Sequence, residues 1–276
     1  MARVQARSRS RARGGGSPLW WGIALIGCAV AALSALAMFY VTVPRKPVLQ
    51  AGDLCPVKGP QGITAVLIDT SDDLLSTTQK EVRTLLNDQI TTLPTYYKLD
   101  IRVLDIPNVR SRSLFSMCNP GDGAGLSEWT DNPRLARLRW IESFDKPAEE
   151  AIKGSLASAK AKSSPIMAAI QDIALDDFSA SSVQGIPKSL IVISDMLEFT
   201  PYYGQYPSQG DLSYERYRHS PAYLKFRTDL HGARVTIDYV QRPEVKIDPY
   251  RHGVFWKDWI DDNRGTIEII HRLQGG

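Results

Sequence analysis

Ile63-Thr64-Ala65-Val66-Leu67-Ile68-Asp69-Thr70-Ser71-Asp72-Asp73 is the stretch that decides the fold. Six mostly apolar residues run straight into a packed set of oxygen ligands. A short unbroken apolar run bounded by turn residues reads as a strand buried on both faces, as in a parallel sheet. Gln61-Gly62 stops it in front. Thr78-Gln79-Lys80-Glu81 opens a helix behind, with Thr78 placed to cap and Glu81 to reach back. Val82, Leu85, Leu86, Ile90 and Leu93 then share one helical face. The acidic cluster therefore sits on a loop from a strand's carboxyl end to a helix start, which is where open α/β sheets bind ligands.

Strand, then Asp-x-Ser-x-Asp, then helix resembles the first motif of von Willebrand factor A (vWA) domains, a family in which this loop holds a divalent cation in a metal-ion-dependent adhesion site. Ser164-Pro165-Ile166-x-x-Ala169-Ile170 is similar to the second motif, with Ser164 where Thr is usual. Leu190–Ile193 is a second buried run ending in Ser194-Asp195-Met196. Asp195 matches the aspartate of the third motif, while Met196 stands where Gly is usual. The resemblance implies an α/β fold: a doubly wound, mostly parallel sheet (vWA/Rossmann-like) with one antiparallel edge strand. It also implies that Asp69, Ser71, Ser164 and Asp195 converge, with Asp73 beside them. Carboxylates, hydroxyls and waters suit a hard cation that keeps part of its hydration shell, hence Mg²⁺. Three carboxylates repel one another unless a cation or replacement donors compensate; either meets the need. Asp73, where Ser is usual, reads as a ligand or as a cap on the following helix. Ser164 likewise reads as a ligand or a helix cap.

Leu19–Val43 is 25 residues without a charge, enough to cross a bilayer of about 30 Å with some tilt, as a single transmembrane helix. Trp20, Trp21 and Tyr40 lie toward its ends, as interfacial aromatics do. Arg3, Arg7, Arg9, Arg11 and Arg13 precede it, so the positive-inside rule predicts a cytoplasmic N-terminus. Everything after Val43 then lies outside: a single-pass, inner-membrane protein with its C-terminal domain in the periplasm or outside. A cleaved signal peptide competes, through Ala35-Leu36-Ala37, but its apolar region should be about 7–15 residues and this one runs on through Val41. Residues 1–18 read as a disordered basic tail. Without its five arginines the 33 basic residues become 28, against 30 acidic ones. The folded part is thus slightly acidic, which argues against a nucleic-acid partner. Residues 44–61 read as a stalk, and 62–276 as one domain large enough for its own core.

Tyr96–Ile106 alternates apolar and polar residues and reads as a second strand, with Arg110–Cys118 as its antiparallel partner. The resemblance implies the same hairpin. Cys55 and Cys118 would share an oxidising compartment, so they read as a disulfide or as two unrelated buried thiols; the hairpin returns the chain to the sheet end where Cys55 enters. Asn119–Gly125 is turn chemistry, and with no Gly-Lys-Ser/Thr after it reads as a plain loop rather than a phosphate cradle. Asn132-Pro133 starts a helix with Leu135, Leu138 and Ile141 spaced for burial, continued by Lys146–Ala161. Ile166–Phe178 is another helix with Pro165 at its first turn. Phe199–Tyr223 holds six of the 11 tyrosines and should lie over the edge that carries Asp69. Either Tyr202, Tyr203, Tyr206, Tyr214 and Tyr217 bind a partner, or the segment is a lid packed on its own domain. Ala233–Val240 reads as a strand, Val254–Ile260 starts the final helix, and Thr266–His271 is a last short strand.

Catalytic signatures are weak. Ser71 and Ser194 follow strands, but neither sits in Gly-x-Ser-x-Gly. His219, His231, His252 and His271 lack metal-ligand spacing and read as surface residues. A phosphotransferase of the haloacid dehalogenase kind wants a second Asp two residues after Asp69, where Ser71 stands. The sequence therefore predicts a membrane-anchored, extracytoplasmic protein-interaction module with no catalytic residues. The alternatives are a Mg²⁺-dependent phosphoryl hydrolase using Asp69 and Asp195, and a structural subunit of a membrane complex with a vestigial metal site.

Overall fold

The structure, a computed structural model, describes residues 19–42, 46–128, 131–155, 161–206, 212–242 and 244–273. The readings of the 1–18 tail, of Val43, and of positions 156–160 and 207–211 fall outside them. With no charge to solvate, Leu19–Thr42 forms one 24-residue helix, α1. At about 1.5 Å per residue this spans about 36 Å, and Trp20–Thr42 is long and apolar enough to cross a membrane. The chain divides into two units, Met1–Pro47 and Val48–Gly276. The second begins well before Gly62, so most of the expected stalk belongs to the folded domain. Three features tie it there: a bridge between Leu49 and Pro56, a 2.8 Å hydrogen bond from Cys118 N–H to the Asp53 carbonyl, and a Cys55–Cys118 disulfide with Cα atoms 4.8 Å apart.

Six strands make one sheet: β1 (Gly62–Ile68), β2 (Tyr97–Asp105), β3 (Arg110–Cys118), β4 (Lys188–Ser194), β5 (Arg234–Val240) and β6 (Thr266–Leu273). Their order is β3-β2-β1-β4-β5-β6. Only β3 runs antiparallel, paired to β2; the other neighbours are parallel. Every residue of β1 is buried, because helices cover both faces. Ile63, Ala65 and Leu67 face one core, with α5 (Ile166–Ile173) and α8 (Pro249–Asp262). Val66 and Ile68 face the other, with α2 (Ser76–Thr92), α3 (Pro133–Trp140) and α4 (Lys146–Ser155).

Several local readings shift. Helix α2 starts at Ser76, ahead of Thr78, and its N-cap residue Leu75 offers no side-chain bond; Thr78 is buried within the first turn. Leu135 and Leu138, expected inside, are 42% and 56% exposed. Trp140, Phe144, Ala148 and Ile152 take the core instead. The aromatic pair removes more apolar surface from water than the leucines do, and so fixes the helix phase. A π-helical turn, Ile141–Asp145, joins α3 to α4. Helix α5 begins at Ile166 as expected, with Pro165 as its N-cap residue, and a second π-helical turn, Ala174–Phe178, extends that helix. The final helix begins at Pro249, capped by the Asp248 side chain.

Beneath α5, strand β2 carries buried charge. Arg102 Nη2 donates to Asp176 Oδ2 at 2.7 Å, and its Nη1 lies 3.5 Å from both Asp100 and Asp177. Lys98 Nζ reaches Asp177 at 2.6 Å, and Ser113 Oγ–H donates to Asp100 at 2.5 Å. Burial, then repulsion from Asp177, pushes the Asp100 carboxyl up to about 7. A raised acid holds its proton in the folded state after the unfolded chain has lost it. The folded protein therefore loses stability as pH rises from about 4 toward 7 at this group. Asp100→Asn should flatten that part of the pH–stability profile, read as melting temperature; an unchanged slope would remove Asp100 as its source.

Candidate functional site

Strand order reverses at β1, whose two neighbours are β2 and β4. In such sheets the crevice outside the strands' carboxyl ends is the ligand-binding position. Asp69 ends β1 there, its N–H prolonging the ladder to the Ile193 carbonyl at 2.9 Å. Both of its carboxylate oxygens are engaged. Oδ1 accepts from the Ser71 N–H at 2.9 Å; Oδ2 accepts from Ser194 Oγ–H at 2.6 Å and from Ser164 Oγ–H at 3.3 Å. Asp195 ends β4. Its Oδ1 accepts from the Leu197 N–H at 3.0 Å, and its Oδ2 from Arg242 Nε at 3.0 Å. Burial, then repulsion from Asp69, pushes the Asp195 carboxyl up to about 7, against the Leu197 N–H and the Arg242 guanidinium.

The loops thus bring together Asp69, Ser71, Ser164 and Asp195. Asp73 joins through its backbone: its carbonyl accepts from Arg242 Nη1 at 2.9 Å. Arg242 Nη2 also lies 3.9 Å from Asp72. Ser164 is both a partner of Asp69 and, through its N–H and carbonyl, a bridge to Phe199.

Ser194, weighed in the sequence only as a nucleophile, instead donates the shortest hydrogen bond to Asp69, and two further residues at this edge were missed by the sequence reading. Arg242 lies just past the end of β5, with nothing beside it in sequence to mark it. Glu198 is fully buried, accepts from the Met167 N–H at 2.8 Å, and so ties the segment after Asp195 to the start of α5. Burial pushes its carboxyl up to about 8. Met196 explains the departure from Gly. It sits at φ +61°, where a side chain costs about 1–2 kcal/mol, and its side chain is fully buried in the core.

The histidine reading needs correction. His252 is fully buried, its Nδ1 2.9 Å from the Tyr239 hydroxyl, and burial lowers its pKa to about 4. Apolar packing of α8 carried it inside. The tyrosines separate into two groups. Tyr217 is buried in the core, Tyr203 stacks on Phe255, and Tyr214 donates to Asp262 at 2.9 Å. Tyr214 and Tyr217 belong to a short helix, α6 (Tyr214–Arg218), which a second one, α7 (Pro221–Phe226), follows; Tyr203 belongs to the segment after β4, and all three pack on Phe255 of α8. The expected binding face narrows to Tyr202, which is exposed, and half-buried Tyr206. Tyr206, Phe199, Ser71, Asp72, Ser163 and Ser164 line a cleft of about 420 Å³, with Lys162 also on its wall.

The acidic edge is compensated by protein groups: the positive charge at the acids comes from Arg242, and the Asp69 oxygens accept three hydrogen bonds. Among the described residues no group of three or more His, Cys, Asp or Glu is placed to hold a metal ion. No family model matches the chain, and no curated protein matches it. A solved structure, that of an aerotolerance-related membrane protein from Bacteroides fragilis NCTC 9343 with multiple mutations to serines, is similar over 77% of this chain and 92% of that one, at 12% identity and a TM-score of 0.36.

Proposed function

We propose that this chain is a membrane-anchored interaction module of the vWA-like kind, presenting the carboxyl edge of its sheet to a protein partner outside the cytoplasm. The cleft beside Asp69 carries the reading. It opens where three loops meet and is walled by hydroxyls and by the edge-to-face pair Phe199 and Tyr206, whose ring centroids are 5.3 Å apart. Hydroxyls and aromatic rings give contact area and adaptable hydrogen bonds at low entropic cost. The arginines before α1 support a cytoplasmic N-terminus.

The hydrolase alternative needs a carboxylate oxygen turned toward substrate, and both oxygens of Asp69 are directed inward to Ser71, Ser164 and Ser194. That favours recognition over catalysis. A Mg²⁺-assisted form of docking would require Arg242 to leave Asp195.

A photo-crosslinking residue placed at Lys162, on the cleft wall, tests the reading in the full-length chain in its native membrane. The same residue at Lys58, before β1 at the opposite edge, is the control. Position 162 should give a discrete protein adduct and position 58 should not. Equal labelling from both, or none from position 162, would sink the proposal.

A further inference from the structure

We infer that Arg242 is the built-in cation of this edge, so that the acidic loops assemble without a divalent metal. The side chain crosses from the end of β5 over β4 to the loop after β1, and there it faces the carboxylates of Asp195 and Asp72 and the backbone carbonyl of Asp73. Nε holds Asp195 at 3.0 Å, Nη1 holds the Asp73 carbonyl at 2.9 Å, and Nη2 lies 3.9 Å from Asp72. A guanidinium is always charged and presents its donors in a rigid fork. It therefore supplies both things a metal would: positive charge and fixed geometry among several oxygens.

The Asp69 carboxylate is likewise compensated by protein donors: the Ser164 and Ser194 hydroxyls both donate to it. The Arg242 side chain is 18% exposed and that of Asp195 is 5% exposed, so the contact is sheltered from screening. A dication approaching the same Asp195 oxygen would meet the guanidinium first. Metal binding and Arg242 are mutually exclusive occupants of one place.

Removing the arginine should then create the metal site that the wild-type chain lacks. The full-length chain in detergent micelles is titrated with Mn²⁺, with bound ion read by electron paramagnetic resonance and stability by melting temperature. Wild type should take up no stoichiometric Mn²⁺ at about 1 mM, the weak end of protein modules for hard cations, and chelator should leave its melting temperature unchanged. Arg242→Ser should bind one Mn²⁺ and be stabilised by it, and adding Asp195→Asn should abolish that binding. Arg242→Lys should stay folded in chelator and bind none. Stoichiometric Mn²⁺ on wild type, or a folded Arg242→Ser that binds none, overturns the inference. If Arg242→Ser unfolds, rescue by Mn²⁺ supports it. If Mn²⁺ does not rescue, chelator-sensitive melting of wild type or Arg242→Lys overturns it, and chelator-insensitive melting of both upholds it. This outcome is independent of whether a partner is crosslinked at position 162.

Discussion

Trp256→Ala should cost about 3–5 kcal/mol of folding stability, the usual range for emptying a buried indole site. Trp256 is 1% exposed and packs edge-to-face on Phe255 and Trp259. Its Nε1–H also forks to the Met196 carbonyl at 2.9 Å and to His252 Nε2 at 3.1 Å. Met196 directly follows Asp195 in a left-handed conformation, so the indole holds a strained carbonyl at the candidate site. The truncation should therefore do two things at once. Denaturant unfolding should register the loss, and amide exchange at residues 195–198 should speed up beyond that of β1. Trp256→Phe keeps most of the packing and should cost about 0.5–1.5 kcal/mol, by removing the indole donor from a Met196 carbonyl that keeps the Glu198 N–H at 3.1 Å. A loss under about 1 kcal/mol for Trp256→Ala would mean that α8 does not anchor this edge.

Loss of the Cys55–Cys118 bond is the second large effect. It joins residues 63 apart in sequence, which on the chain-entropy model contributes about 4 kcal/mol by restricting the unfolded chain. Both cysteines are buried, at 4% and 0% exposure. The double variant Cys55→Ser, Cys118→Ser should unfold at correspondingly lower denaturant than the oxidised wild type. Reduced wild type should match the variant. Equal stability of oxidised and reduced wild type would show that the bond constrains nothing.

Asp69, Ser164 and Asp195 were legible because each sits at the end of a buried run or the start of a helix, where a few neighbouring residues announce the geometry. The sheet was legible for the same reason: Ile63–Ile68 and Leu190–Ile193 are short apolar runs that end in turn residues, the pattern of strands buried on both faces. Arg242 was not legible. Its partner Asp73 is 169 residues away in sequence, and the strand before it looks like any other. Glu198 and His252 were hidden similarly. Their burial depends on Met167, Gln205 and Tyr239, contributed by other elements, and no local pattern distinguishes a buried histidine from a surface one. The leucines of α3 misled because apolar spacing alone gives the face, while side-chain size decides which face wins. Among the tyrosines, composition suggested a surface, but ring packing on Phe255 drew Tyr203, Tyr214 and Tyr217 inward.

The covalent link between the segment before β1 and the end of β3 also sets how the domain answers a mechanical pull. Tension entering the polypeptide from its N-terminal side reaches Cys55 before it reaches Gly62. There the disulfide diverts it into Cys118, whose strand is an edge of the sheet. Residues 56–61 then stay slack, and β1, with Asp69 at its far end, is not stretched. Reduction would remove that detour and route the same force through Gly62 into the central strand, so that the bond acts as a strain relief for the acidic loops.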